Sequence, residues 1–147
     1  MAEPTPTLAP PPLHGRRLLV VEDEYMIAMD MAQALEDLGA EVVGPAASVE
    51  DALLLVREEG GRLDAALLDI NLQDRRVFPV ADALAERGVP FVFATGYDAA
   101  VIPTPHAATP RCEKPVNKAG LAGILARILV RPPVGHEAPA PGNSPAS

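Results

Sequence analysis

Residues Leu18–Leu38 read LLVVEDEYMIAMDMAQALEDL, and a change of period inside this stretch decides the fold. Leu18-Leu19-Val20-Val21 is a short unbroken apolar run, the pattern of a strand buried on both faces. It stops on Glu22-Asp23-Glu24. From Tyr25 onward Ile27, Met31, Ala34, Leu35 and Leu38 recur at steps of three and four. That spacing predicts a helix over Tyr25–Leu38, stopped by Gly39.

The alternation continues down the chain. Glu41–Gly44 reads as a second strand ended by Pro45, and Ser48 followed by Asp51 opens a helix with Ala52, Leu55 and Val56 inward. Asp64–Ile70 (DAALLDI) is a third strand, and Phe78–Glu86 a helix closed by Arg87-Gly88. Pro90–Thr95 (PFVFAT) is a fourth strand and Arg111–Glu113 a brief fifth. Asn117–Val130 is a terminal helix with Leu121, Ile124, Leu125, Ile128 and Leu129 inward. Strand and helix taking turns predict an α/β fold, a doubly wound parallel sheet. One unit breaks the rhythm. Pro103, Pro105 and Pro110 follow the fourth strand, and an interior proline costs a helix about 3 kcal/mol. A short, frayed or absent fourth helix is expected.

Proline also marks the flanks. Residues 1–15 and 132–147 are proline-rich and read as disordered tails around one domain over 16–131. A formal charge of −8 argues against nonspecific nucleic-acid binding. No apolar run approaches the roughly 20 residues of a membrane span, and the N-terminus lacks the pattern of a secretory signal. The single cysteine, Cys112, fits a reducing cytoplasm and reads as a small hydrophobe in the fifth strand. His14, His106 and His136 have no metal-ligand spacing, and His106 reads as a loop residue.

Polar groups stand where the apolar runs stop, and in a parallel sheet those stops share one edge. Asp69 ends the third strand, where a carboxylate can attack phosphorus or simply serve as a loop acid. Glu22 and Asp23 repel unless a cation lies between them. Magnesium suits such oxygen donors, although acids at a helix N-terminus are favourable without a metal. Thr95, before Gly96, offers a hydroxyl to a phosphoryl oxygen or is an ordinary strand residue. Lys114, one of two lysines among 12 basic residues, offers a point charge to transferred oxygens or is solvated.

VVEDE, LLDINL, FATGY and EKP in this order resemble the receiver domain of two-component response regulators, over roughly residues 15–131. The resemblance implies a flavodoxin-like (βα)5 fold with strand order 2-1-3-4-5. It implies Asp69 as acceptor of a phosphoryl group from a sensor histidine kinase. Asp23 and Asp69 would ligate Mg2+, with Glu22 acting through water and the Asn71 backbone carbonyl completing the site. Lys114 would pair with the phosphoryl group, Thr95 would swing toward it, and the Lys114–Pro115 bond would be cis. Phe93–Tyr97 (FATGY) looks like an alphaproteobacterial subgroup partnered with kinases of the HWE or HisKA2 type, which lacks a well-formed fourth helix. Two positions depart from the common pattern. Glu22 leads the acid pair, and Arg111 stands where a switch aromatic is usual, leaving Tyr97 to replace it or merely to cover the site.

With no second domain in view, a stand-alone receiver is expected, acting on a downstream protein or as a phosphate sink. Arg75-Arg76 and the segment 96–109 are candidate docking surfaces. Asn71 and Tyr97 are expected to tune hydrolysis of the phosphoryl group. The competing readings are a haloacid-dehalogenase-type phosphatase, which usually wants an Asp where Asn71 stands, and a flavodoxin-like binding module that is never phosphorylated.

Overall fold

The computed structural model describes residues 10–73, 75–96 and 102–129. Its order is β1 (Arg17–Val21), α1 (Tyr25–Asp37), β2 (Glu41–Ala46), α2 (Val49–Glu59), β3 (Ala65–Asp69), β4 (Asn71–Leu72), β5 (Arg75–Arg76), α3 (Phe78–Glu86), β6 (Phe91–Thr95), β7 (Arg111–Glu113) and α4 (Lys118–Ile128). The main sheet is five-stranded and parallel, ordered β2-β1-β3-β6-β7. With the small antiparallel β4–β5 hairpin set aside, this is the expected order 2-1-3-4-5.

Alternation within the strands builds two cores. Leu19, Val21, Ala66, Leu68, Phe91 and Phe93 face one side and pack with Val49, Ala52 and Val56 of α2 and Val80, Ala81 and Leu84 of α3. Leu18, Val20, Ala65, Leu67, Val92 and Ala94 face the other and pack with Met31 and Leu35 of α1 and Leu121 and Leu125 of α4. Burial on both faces is why β1, β3 and β6 read as continuous apolar runs. Ser48 caps α2 by accepting from the Asp51 N–H at 3.0 Å, as its spacing predicts. Asn117 caps α4 in the same way, accepting from the Gly120 N–H at 2.7 Å.

Four features differ from the sequence reading. Pro45 does not end β2: the strand bulges at Gly44 (φ +95°) and runs on to Ala46, whose carbonyl accepts from the Glu22 N–H at 2.9 Å. Proline is tolerated there because β2 is an edge strand. The hairpin β4–β5 is additional. Residues 11–15, read as tail, are partly packed: Leu13 is 1% exposed and its N–H reaches the Leu38 carbonyl at 2.8 Å. Gly39 (φ +102°) makes this possible, since a Cβ there would lie 2.8 Å from Pro11 Cβ. His106, read as a loop residue, is buried at 5% exposure.

Between β6 and β7, the described residues 102–110 contain a 3₁₀ turn at Thr104–His106 and no α-helix. His106 holds this turn against α3. Its Nε2 lies 2.7 Å from Asp82 Oδ1, and its ring stacks on Phe78 and meets Phe91 and Phe93 edge-on.

If the packed domain includes Leu13, Leu13→Ala should lower stability by about 2–5 kcal/mol in urea denaturation, the range for a buried leucine. An unchanged midpoint would show that residues 11–15 contribute nothing to the core.

Candidate functional site

Three strand ends meet at the carboxyl edge of the sheet. The neighbouring strands β1 and β3 deliver Glu22, just past Val21, and Asp69. Lys114 follows β7, two strand positions from β3, and its long stem spans the gap. Its Nζ donates to Glu22 Oε1 at 3.0 Å and to Asp69 Oδ1 at 3.2 Å. The backbone fixes the base of that stem, because the Lys114 N–H donates to the Thr95 carbonyl at 2.8 Å. The Lys114–Pro115 peptide is cis.

Asp23 completes the acidic group. Glu22, Asp23 and Asp69 each offer a carboxylate oxygen, and the three oxygens lie within 4.8 Å of one another. Two backbone donors orient them: the Glu24 N–H reaches Glu22 Oε2 at 3.1 Å, and the Gln73 N–H reaches Asp23 Oδ2 at 2.8 Å. The second contact ties the start of α1 to the β4–β5 hairpin.

Burial sets the electrostatics. Glu22 is 1% exposed and Asp69 5%. Desolvation pushes the Glu22 carboxyl up to about 7, the Asp69 charge adding to the effect and the Glu24 N–H and Lys114 opposing it. Desolvation also raises Asp69, with Lys114 opposing and Asp23 adding. Burial would lower the Lys114 ammonium, but its hydrogen bond to Glu22 and the Asp69 charge hold it above the usual lysine value. Burial thus disfavours the charged forms of Glu22 and Asp69, and the single Lys114 ammonium offsets this only in part.

The cleft around them is about 720 Å³ and is also lined by Asn71, Arg75, Arg76 and Gly96. Thr95, 7% exposed at the end of β6, lines an adjoining groove with Ile27, Met31 and Pro115 instead. Tyr97 lies outside the described residues. Sequence reasoning missed the hairpin contribution: Gln73 to the orientation of Asp23, and Arg75 and Arg76 to the cleft wall. A signal was present, because Ile70-Asn71-Leu72 alternates apolar, polar, apolar, and Ile70 and Leu72 are buried while Asn71 is exposed.

A donor set made only of carboxylate oxygens, close together and under-neutralised, fits a hard divalent cation such as magnesium. No sulfur or imidazole is in the cluster to favour a softer metal.

Comparison with known proteins agrees with the geometry. The chain is 42% identical to SdrG from Sphingomonas melonis Fr1, whose solution structure matches with a TM-score of 0.68 over 78% of this chain and 97% of that one. A CheY-like response regulator receiver domain from Methylobacillus flagellatus matches at 28% identity and a TM-score of 0.66, over 77% of this chain and 98% of that one. The transcriptional regulatory protein PdtaR of Mycobacterium tuberculosis is 32% identical over 83 residues, 56% of this chain and 40% of PdtaR. The chain spans less than half the length of the curated relatives it matches. No protein-family model matches it. The chain belongs to the response regulator receiver family, a family of two-component signalling domains. Among the described residues no helix is long and apolar enough to cross a membrane.

The raised Glu22 carboxyl fixes the sign of one pH effect. The folded, metal-free protein binds that proton more tightly than the unfolded chain does. Its contribution is fully present below 4.5, the ordinary value of a glutamate, and is lost as pH rises through about 7. Melting temperature measured in EDTA should fall over that window, and Glu22→Gln should flatten the fall. Equal slopes for both proteins would remove Glu22 as its source.

Proposed function

We propose that Asp69 accepts a phosphoryl group from the phosphohistidine of a sensor histidine kinase. The observation that carries this reading is the Lys114 ammonium bridging Glu22 and Asp69 beside Asp23. In the transfer one Asp69 carboxylate oxygen bonds to phosphorus as the phosphorus–nitrogen bond breaks. The imidazole nitrogen leaves with that electron pair and takes up a proton from water, so the kinase histidine ends neutral. Such transfer asks the protein mainly for positioning and charge neutralisation.

Asp23, Asp69 and the Asn71 backbone carbonyl would hold Mg2+, with Glu22 helping through water, and the bound ion would offset charge on the phosphoryl oxygens. Lys114 would turn from the carboxylates toward the new oxygens, which carry about −1.5 to −2 charge near neutral pH. Thr95, at present on the adjoining groove, would move its hydroxyl toward them. That movement would shift the β6–β7 connection, whose described residues 102–110 dock on α3 through His106.

The Phe93–Tyr97 run supports a kinase of the HWE or HisKA2 type as donor, in the cytoplasm. The output is a downstream protein that reads the shifted connection, or withdrawal of phosphate from the kinase. A haloacid-dehalogenase-type phosphatase is not favoured, because Asn71 lacks the carboxyl its acid–base step uses.

Labelling by acetyl phosphate in Mg2+ tests the reading. Asp69→Asn and excess EDTA should each reduce incorporation to background, followed by intact mass or phosphate-affinity gels. Undiminished Mg2+-dependent labelling of Asp69→Asn would rule Asp69 out. Asn71→Ala and Tyr97→Ala should change the half-life of the phosphorylated protein. If both leave it unaltered, neither residue tunes hydrolysis.

A further inference from the structure

The cleft is acidic inside, yet an arginine stands at its mouth. Arg76 is exposed, lines the cleft with Asp69 and Lys114, and lies directly across the β4–β5 hairpin from Asn71. Residues opposite each other in an antiparallel pair project from the same face. For this pair that is the cleft face, because Ile70 and Leu72 on either side of Asn71 are buried in the core.

The two neighbouring arginines are not equivalent. Arg75, opposite Leu72, is paired with Glu50 at the start of α2, which anchors the hairpin. Arg76 forms no ion pair or side-chain hydrogen bond among the described residues. Three of the four acids lining the cleft are already engaged: Asp23 accepts from the Gln73 N–H, and Glu22 and Asp69 share Lys114. Among the described residues, the hairpin thus presents a guanidinium with no ion-pair partner on the wall of the cleft that holds Asp69 and Lys114.

An incoming phosphodonor is an anion, and it approaches a protein of net charge −8 through a cleft walled by Glu22, Asp23, Glu24 and Asp69. That field opposes its approach. We propose that Arg76 is a positioning residue for the phosphodonor: its guanidinium receives the anionic oxygens at the cleft mouth and passes them to Lys114. The fork of a guanidinium matches two phosphoryl oxygens at once. This rests on the Asp69 reading and adds to it a second cation on the hairpin.

With acetyl phosphate as the probe, an Asp69 oxygen bonds to phosphorus, the phosphorus–oxygen bond to the acetyl group breaks, and acetate leaves with the electron pair. Arg76 takes no proton in this step. Its effect falls on donor capture and therefore on the second-order rate constant and its ionic-strength dependence.

The test follows labelling of the full chain by acetyl phosphate in Mg2+ at two ionic strengths. Arg76→Ala should lower the second-order rate constant about three- to tenfold at low salt, as expected for loss of one charge-assisted contact, and should flatten the salt dependence. Arg76→Lys should recover part of the rate. Arg57→Ala, which removes an exposed charge from α2 outside the cleft, should leave both unchanged. Wild-type rate and salt slope in Arg76→Ala would overturn the proposal, as would an equal loss in Arg57→Ala. A loss in Arg76→Ala with unaltered salt slope would assign Arg76 to hairpin structure and overturn it too. If the wild-type chain takes no label at all, the Asp69 reading fails instead.

Discussion

Buried carboxylates are the constraint on which this molecule is organised. Glu22 and Asp69 have almost no exposed surface, and Asp23 holds an oxygen within 4.8 Å of both. Removing such groups from water costs several kcal/mol each unless charge and hydrogen bonds compensate. Lys114 supplies one positive charge to two of them, and the Glu24 and Gln73 amides supply donors. Compensation remains incomplete, and the displaced carboxyl groups record this. A site in that condition attracts cations.

Each compensating group depends on the sheet order. Strands β1 and β3 are neighbours, so Glu22 and Asp69 meet without intervening chain. Strand β7 lies beyond β6, and only a long side chain crosses that distance. The edge strand β2 takes part as well, because its bulge past Pro45 carries the Ala46 carbonyl to the Glu22 N–H. On the opposite flank His106 joins the β6–β7 connection to α3 through Asp82 and three phenylalanine rings. One of those rings is Phe93, two residues before Thr95. The connection and the strand that carries Thr95 therefore share one aromatic cluster.

Much of this was legible before any coordinates. Helix α3 spans Phe78–Glu86 as its periodicity indicates, and α1 and α4 end within two residues of their expected limits. Apolar runs marked β1, β3 and β6 because these strands are buried on both faces. The prolines at 103, 105 and 110 argued against a long fourth helix; the described residues 102–110 carry only a 3₁₀ turn, and residues 97–101 lie outside the described residues. Other features were not legible for specific reasons. Pro45 signals a strand end unless the strand lies at an edge, which is a property of the whole sheet. Leu13 is one apolar residue among prolines, and the core it joins, with Leu18, Val20, Met31 and Leu35, comes from elements further along the chain. His106 has no local signature, because its three aromatic neighbours come from two other elements.

The residues themselves determined which chemistry was available: acids, a hydroxyl and an amine at the ends of apolar runs, in an order that implies a shared edge. Local periodicity is enough for that, since it reports burial one element at a time. Which of these groups touch was decided by the tertiary structure alone. Contacts such as Lys114 with Glu22, 92 positions apart, depend on strand order and side-chain reach. The place of Arg76 depends on the strand it pairs with, and the alternation of Ile70-Asn71-Leu72 by itself does not name that partner.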